Sequence, residues 1–306
     1  MSFSSDVKKE MMKHAVSTRH CMISELAGYI INLAKYVDDE FVIESEHEEL
    51  IIRIRLLLMK LYEVETDVEI DVFDKKYIYR VVIFDDSVLE EILDYCKISV
   101  YEENNLLHIR RQVSPLIIKS ACCQKTYIQT CFLCCGSVTD PDKSYHLEYA
   151  SSHIDKLNQL KDMLEHFDIV AKITPRKSTN VLYVKEGQQI VDCLNILGAH
   201  ASLLHMENTI VTKEFRNNIN RQVNCEAANL IKSANAGSRQ RQDILFLKEK
   251  GILKEMPLNI QEIAELRLEY PDISLTELGA MADPPVSKSC VNHRLRKIAE
   301  TAEKYR

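Results

Sequence analysis

The 306-residue sequence has no hydrophobic run long enough to span a bilayer, which takes about 20 consecutive apolar residues. Its oiliest stretches, around residues 50–61 and 127–135, are interrupted by charged or polar side chains. No membrane segment is expected. The opening MSFSSDVKKE has no apolar core behind its positive charges, so it does not read as a secretory signal, and the cytoplasm is the expected compartment. An excess of basic residues is also missing. The 39 Lys and Arg against 46 Asp and Glu leave a net charge of −7, which taken over the whole chain argues against a nucleic-acid binder.

What the sequence does have is apolar content of 46% with 28% charged residues, the balance of a globular protein able to bury large cores. The length fits two or three domains. The ten cysteines are expected to be reduced thiols in the cytoplasm. Five of them (Cys122, Cys123, Cys131, Cys134 and Cys135) crowd into fourteen residues. Zinc sites usually combine ligand pairs from separate turns or knuckles, and no second pair at a recognisable spacing accompanies this segment. The cluster therefore reads as small thiols packed in a helix, and neither metal nor cofactor is expected.

The charge is uneven. Residues 221–306 carry 14 basic and 12 acidic side chains, while residues 1–220 carry 25 and 34. From Pro285 onward there are six basic residues and two acidic ones. If duplex DNA is a partner, the last segment is where it binds.

Periodicity shows one internal repeat of about 100 residues. An apolar helix over residues 21–33 leads to a strand near 41–44, a helix over 48–64 and two strands at 67–73 and 77–84. A short helix at 87–96 follows. The order recurs as a helix at 122–135, a strand at 144–150, a helix at 152–167, strands at 170–174 and 181–184, and a helix at 188–197. Each half is expected to form a small antiparallel sheet with helices on one face, an α+β arrangement. The expected organisation is residues 1–100 and 101–206 as the two halves, 207–240 as a helical linker rich in Asn and Arg, and 241–306 as an all-α domain. In the linker Ile210, Phe215, Ile219 and Val223 make an apolar stripe. Asn217, Asn220, Arg221 and Asn224 make a polar one, which reads as a solvated or domain-bridging face or as a nucleic-acid contact. Asn235-Ala-Gly237-Ser238 is the expected break before the last domain.

That domain carries the clearest signals. Asn259-Ile-Gln-Glu262 and Ser274-Leu-Thr-Glu277 both read as capping boxes. Tyr270-Pro271 stops the first helix, Asp283-Pro284-Pro285 forces a turn, and Ser287 is placed to cap a third helix. There Val291, Leu295 and Ile298 form a narrow apolar stripe. The other faces hold basic and amide side chains, as suits a helix entering the major groove. In a helix-turn-helix the start of the recognition helix meets base edges. Lys288, Ser289, Asn292, His293 and Arg296 are the expected base contacts, and Arg294 and Lys297 the phosphate contacts. The competing reading is a small helical bundle with a solvated charged face.

The repeated helices contain LAGYIINLAK (residues 26–35) and IQTCFLCCGS (128–137). Both resemble the LAGLIDADG helix of homing endonucleases, in which two such helices pack on a pseudo-two-fold axis and each ends in a magnesium-binding acid. The equivalent positions are Leu33 and Cys135, and neither offers the oxygen ligands that Mg²⁺ requires. Asp140 and Asp142 lie just beyond the second helix without a counterpart in the first half, and are not taken as ligands. Together with FSSDVKKE at the start, GSVTDPDKSYHLEY, NRQVNCEAAN and SLTELGAMADPPVSKSCVNHRLRKI, the chain resembles the WhiA family of Gram-positive sporulation and cell-division regulators. The resemblance implies two pseudo-symmetric αββαββα halves followed by a sigma-region-4-like helix-turn-helix. It also implies a non-enzymatic, nucleoid-associated regulator acting in transcription, cell division and chromosome segregation, with RNA polymerase or other regulators as further partners. Two other readings stand beside it: a protein-interaction or ligand-sensing module with secondary DNA binding, and an active nuclease with relocated ligands.

Overall fold

The computed structural model describes residues 2–306; Met1, the first residue of the opening stretch, lies outside them. The chain divides into two compact units, Met1–Lys213 and Glu214–Arg306. In the first, α1 (Phe3–Met12) precedes α2 (Arg19–Leu33), β1 (Ala34–Val37), β2 (Glu40–Ser45), α3 (Glu48–Tyr62), β3 (Glu69–Phe73), β4 (Lys76–Ile83) and α4 (Asp86–Tyr95). A separate hairpin, β5 (Val100–Glu103) and β6 (Leu106–Ile109), leads to the second half. There the order returns as α5 (Ala121–Cys135), β7 (Gly136–Val138), β8 (Leu147–Ser151), α6 (Ile154–Glu165), β9 (Lys172–Arg176), β10 (Thr179–Val184) and α7 (Gly187–Leu197).

Each half is αββαββα. The two antiparallel sheets share one strand order, β1-β2-β4-β3 and β7-β8-β10-β9. Periodicity finds one strand after each long helix where there are two. β1 and β7 are only four and three residues long, and each starts at the residue that directly follows its helix. Ala34 and Gly136 turn straight into extended backbone with no turn residues between helix and strand. The hairpins use pairs of left-handed residues, Asp38-Asp39 between β1 and β2 and Asp74-Lys75 between β3 and β4, as the twist of two-residue connections demands.

The core lies between helices and sheets. α3 buries Leu50, Ile51, Ile54, Leu57, Leu58 and Leu61, one face at helical spacing, in the same core as Ile43, Val81 and Ile83 of the first sheet. α2 and α5 are buried nearly all round, as elements at the centre of a domain must be: Leu26, Tyr29, Ile30, Tyr127, Ile128 and Phe132 are at most 1% exposed. They touch at Gly28, where a Cβ would lie 2.8 Å from Thr130 Cγ2, so the close approach depends on glycine.

α8 (His200–Glu249) is one continuous 50-residue helix. The expected break at residues 235–238 is absent because Gly237 serves a different purpose. It is buried, and a Cβ there would stand 3.2 Å from Pro271 O, in the turn after the next long helix. Residues 214–236 are all exposed, so Phe215, Ile219 and Val223 of the expected stripe face solvent, while its first residue, Ile210, is half-buried against the core of the first unit. A 3₁₀ turn (Ile252–Glu255) then leads to α9 (Leu258–Glu269), α10 (Leu275–Ala280) and α11 (Lys288–Tyr305). No helix among the described residues is long and apolar enough to cross a membrane.

Candidate nucleic-acid interface

The C-terminal helices are held by one core. Ile244 and Leu247 of α8, Ile263 and Ala264 of α9, Leu278 of α10, and Val291, Leu295 and Ile298 of α11 are all buried together. The expected stripe on the third helix is thus its inner face, lengthened by Ala302. Between α10 and α11 the backbones come so close that a Cβ on Gly279 would stand 2.3 Å from Val286 O, and Val286 N donates to Gly279 O at 2.8 Å. The turn between α9 and α10 closes on the buried Arg267, whose guanidinium donates to Pro271 O at 3.2 Å and Ile273 O at 2.9 Å.

Two of the three expected caps are present. Ser274 and Glu277 form a reciprocal capping box, and the Ser287 hydroxyl accepts from Cys290 N at 3.4 Å at the start of α11. Asn259-Glu262 does not form a capping box. Pro257 occupies the N-cap, placing Asn259 inside α9, and the Glu262 carboxylate instead accepts from Asp283 N at 2.7 Å, bracing the turn into α11.

With α11 seated this way, Lys288, Ser289, Asn292, His293, Arg296 and Lys297 are exposed. Successive positions 288, 292 and 296, and 289, 293 and 297, run down one side of the helix. Arg296 pairs with Glu300 at 3.0 Å in a solvent-facing contact that contributes little and is easily given up. Arg294, expected at phosphate, is turned inward. Its side chain is only 14% exposed, donates to Asn259 O at 3.2 Å, and lies 3.9 Å from the Glu262 carboxylate. Position 294 borders the buried stripe, and its long side chain reaches α9.

In the first unit, α2 and α5 end at Leu33 and Cys135, the two positions where the LAGLIDADG resemblance places metal-binding acids. Around them are cations. The buried Lys156 donates to Asn32 Oδ1 at 2.7 Å, and Lys8 donates to Leu133 O at 3.0 Å. Burial pushes the Cys135 thiol above its ordinary range, with Lys156 and Lys8 pulling the other way. Burial likewise lowers Lys8, partly offset by Cys134 and Cys135. Asp140, Asp142 and His205 come within 4.8 Å of one another, but the two acids lie in a solvent-facing turn in which Asp140 accepts from Asp142 N. The Lys213 ammonium sits on that turn, 2.6 Å from Pro141 O.

One group escaped sequence reasoning. The cysteine segment does have a second ligand pair, His20-Cys21, brought to Cys122-Cys123 from the start of α2. The repeat held the signal: the offset of 102 residues that lays Leu33 over Cys135 also lays His20-Cys21 over Cys122-Cys123.

Comparison with known proteins follows these features along the chain. The family model described as the WhiA C-terminal HTH domain matches residues 219–302, and that of the WhiA LAGLIDADG-like domain matches residues 124–216. A "Probable cell division protein WhiA" from Thermoanaerobacter pseudethanolicus is 40% identical over 312 residues, covering 99% of this chain and 98% of that protein. Its namesake from Clostridium novyi is 38% identical over 318 residues, covering 100% and 99%. The crystal structure of full-length DUF199/WhiA from Thermotoga maritima superposes with a TM-score of 0.60 at 25% identity, covering 99% of both chains. The chain belongs to the WhiA family.

Proposed function

We propose that this protein is a non-enzymatic, DNA-binding regulator of cell division whose α11 enters the major groove of duplex DNA. The observation that carries the reading is the exposed face of α11, which presents Lys288, Ser289, Asn292, His293, Arg296 and Lys297 from a helix whose opposite side is locked into the core. Lys288, Ser289, Asn292 and His293 at its capped start reach base edges, with Arg296 one turn on. An asparagine suits adenine and a lysine suits guanine. Lys297 meets phosphate. Arg294 acts as a strut that sets the angle of α11 on α9. In this reading residues 1–100 and 101–206 form the paired scaffold, 207–240 the connecting helix and 241–306 the reader.

The same reading makes the LAGLIDADG-like unit a scaffold without nuclease chemistry. A magnesium ion between the helix ends would meet a leucine, a protonated thiol and two ammonium groups, the opposite of the oxygen-rich, anionic shell it needs. Relatives named as cell division proteins support the process. Transcription control, chromosome segregation, sporulation, association with the nucleoid and contact with RNA polymerase or other regulators extend this reading through the family resemblance.

The test is immunoprecipitation from cells with sequencing of the bound DNA, for the wild type and for Lys288→Ala/Asn292→Ala/Lys297→Ala. All three side chains are exposed, so the substitutions leave the core alone. Discrete sites lost in the variant are expected. Identical occupancy by both proteins would remove α11 as the reader.

A further inference from the structure

We propose that His20, Cys21, Cys122 and Cys123 form a closed Cys3His zinc site that clamps the N-terminal ends of α2 and α5 together. The four donor atoms all lie within 4.8 Å of one another. His20 Nδ1 is 3.1 Å from Cys123 Sγ and 3.3 Å from Cys21 Sγ. In a tetrahedral site with Zn–S near 2.3 Å and Zn–N near 2.0 Å, neighbouring donors stand roughly 3.5–3.8 Å apart. Both His20 separations fall slightly short of that value and every other donor pair lies within 4.8 Å, so a small outward shift at His20 brings the four donors toward a tetrahedral shell.

The donors come from symmetric places. His20 and Cys21 are the second and third residues of α2, and Cys122 and Cys123 are the second and third residues of α5. Two helix N-termini therefore converge on three sulfurs. The partial positive charge of the two N-termini offsets the single net negative charge of zinc with three thiolates and a neutral imidazole. Neither helix has a side-chain cap: Thr18 and Ser120 occupy the N-cap positions without bonding to the helix backbone. Ser120 Oγ instead lies 3.2 Å from Cys122 Sγ, and Ser24 Oγ donates to Cys123 O at 2.9 Å, tying the two helices beside the cluster.

The donor set selects the metal. Three thiolates and an imidazole suit Zn²⁺ and not Mg²⁺ or Ca²⁺. All four positions are filled by protein, the mark of a structural rather than a catalytic site. Cys21 and Cys123 are buried, while His20 and Cys122 are exposed, which gives the ion a way in. The site lies at the opposite end of the two helices from Leu33 and Cys135, about 20 Å away at 1.5 Å per residue. It would staple the two halves of the repeat and is independent of how α11 meets DNA.

The experiment uses the full-length protein, purified under a non-chelating reductant, with zinc measured by elemental analysis and Co²⁺ used as a spectroscopic probe. One zinc ion per chain is expected, together with the sulfur-to-cobalt charge-transfer and tetrahedral ligand-field bands. Cys122→Ser and His20→Asn change exposed residues, and circular dichroism checks that both still fold. Each should weaken zinc binding by more than the roughly 10–100-fold that loss of an outer-shell partner costs. Cys225→Ser, an exposed cysteine of the other unit, should bind as the wild type does. Absence of stoichiometric metal, metal binding indifferent to both substitutions, or a disulfide among Cys21, Cys122 and Cys123 persisting under reductant in place of metal would each overturn the proposal.

Discussion

The two halves of the first unit share a topology and a strand order but differ in charge. Residues 1–100 hold 12 basic against 21 acidic side chains, while residues 101–206 hold 11 of each. The whole acidity of the unit belongs to its first half. In the first sheet, β3 carries Glu69 and Asp71, and Arg80 of β4 is shared between Asp71 and Glu44. The corresponding strand of the second sheet, β9, carries Lys172 and Arg176, with Glu148 as the acid that Arg176 meets. Apolar exposure is lopsided too, since Ile70, Val72, Phe73 and Tyr77 of the first sheet are all more than half exposed. A saddle gripping DNA through phosphates needs both sheets basic. This pair shows that a repeated backbone can persist while one half is turned toward a different surface chemistry.

The helix pair on the axis should be the most sensitive place to break that kinship. Gly28 and Thr130 occupy equivalent positions in α2 and α5 and press on one another, with a Gly28 Cβ falling 2.9 Å from Thr130 Cβ. Gly28→Thr would make the pair symmetric in sequence and overpack it in space. We expect a loss of about 3 kcal/mol in urea unfolding, the upper part of the range for overpacked cores. The exchange Gly28→Thr/Thr130→Gly should recover most of it, because the clash belongs to the pair. Additive losses in the double variant would mean the two helices do not depend on this contact.

Such a contact is invisible in local sequence, and that limit recurs. The stripe of α3 was legible because six apolar residues at helical spacing leave one way to bury them. So was the Ser274-Glu277 box, whose donors and acceptors lie within one turn. Gly237 was misread as a helix end because its reason, the approach of Pro271 O, lies in another element. Asn259-Glu262 has the spelling of a cap, but Pro257 starts the helix earlier and Asp283 N claims the carboxylate. On α11 the exposed face followed from the apolar stripe, whereas the inward turn of Arg294 depended on Asn259 O and Glu262 being within its reach. His20-Cys21 needed the repeat to be laid over itself, since ligand spacing along the chain shows nothing at that distance.

The charge contrast can be tested by erasing it. Glu69→Lys/Asp71→Lys on the exposed strand β3 should raise non-specific affinity for duplex at low salt, read by fluorescence anisotropy across a salt series. The plot of log affinity against log salt should steepen by about 0.9 for each phosphate newly contacted. Lys172→Glu/Arg176→Glu in the second sheet should leave the wild-type slope nearly unchanged if α11 supplies the main contacts. An unchanged slope in the first variant would show that acidity is not what keeps the first sheet off DNA. A large change in the second would bring that sheet into the interface.

The smallest expected effect concerns α1, an element outside the repeat. α1 precedes the repeated elements of the first half, yet its Glu10 serves the helix that comes after those of the second, accepting from Ala201 N at 2.6 Å and from Ser202 N and Oγ at 3.1 and 2.9 Å. Partial burial works against the charged carboxylate, but these hydrogen bonds and nearby His200 outweigh it and hold Glu10 below its ordinary value. A depressed folded pKa stabilises the fold above the unfolded value, about 4.3, and that contribution fades as pH falls through the folded one. Glu10→Gln should therefore lower stability at pH 7 by about 0.5–1 kcal/mol, the lower range of a helix cap, because solvent screens a group this exposed. The gap between variant and wild type should close below about pH 4. A gap that stayed constant down to pH 3 would mean that Glu10 acts through its packing rather than its charge, and that the carboxylate of α1 does not tie the two ends of the repeat together.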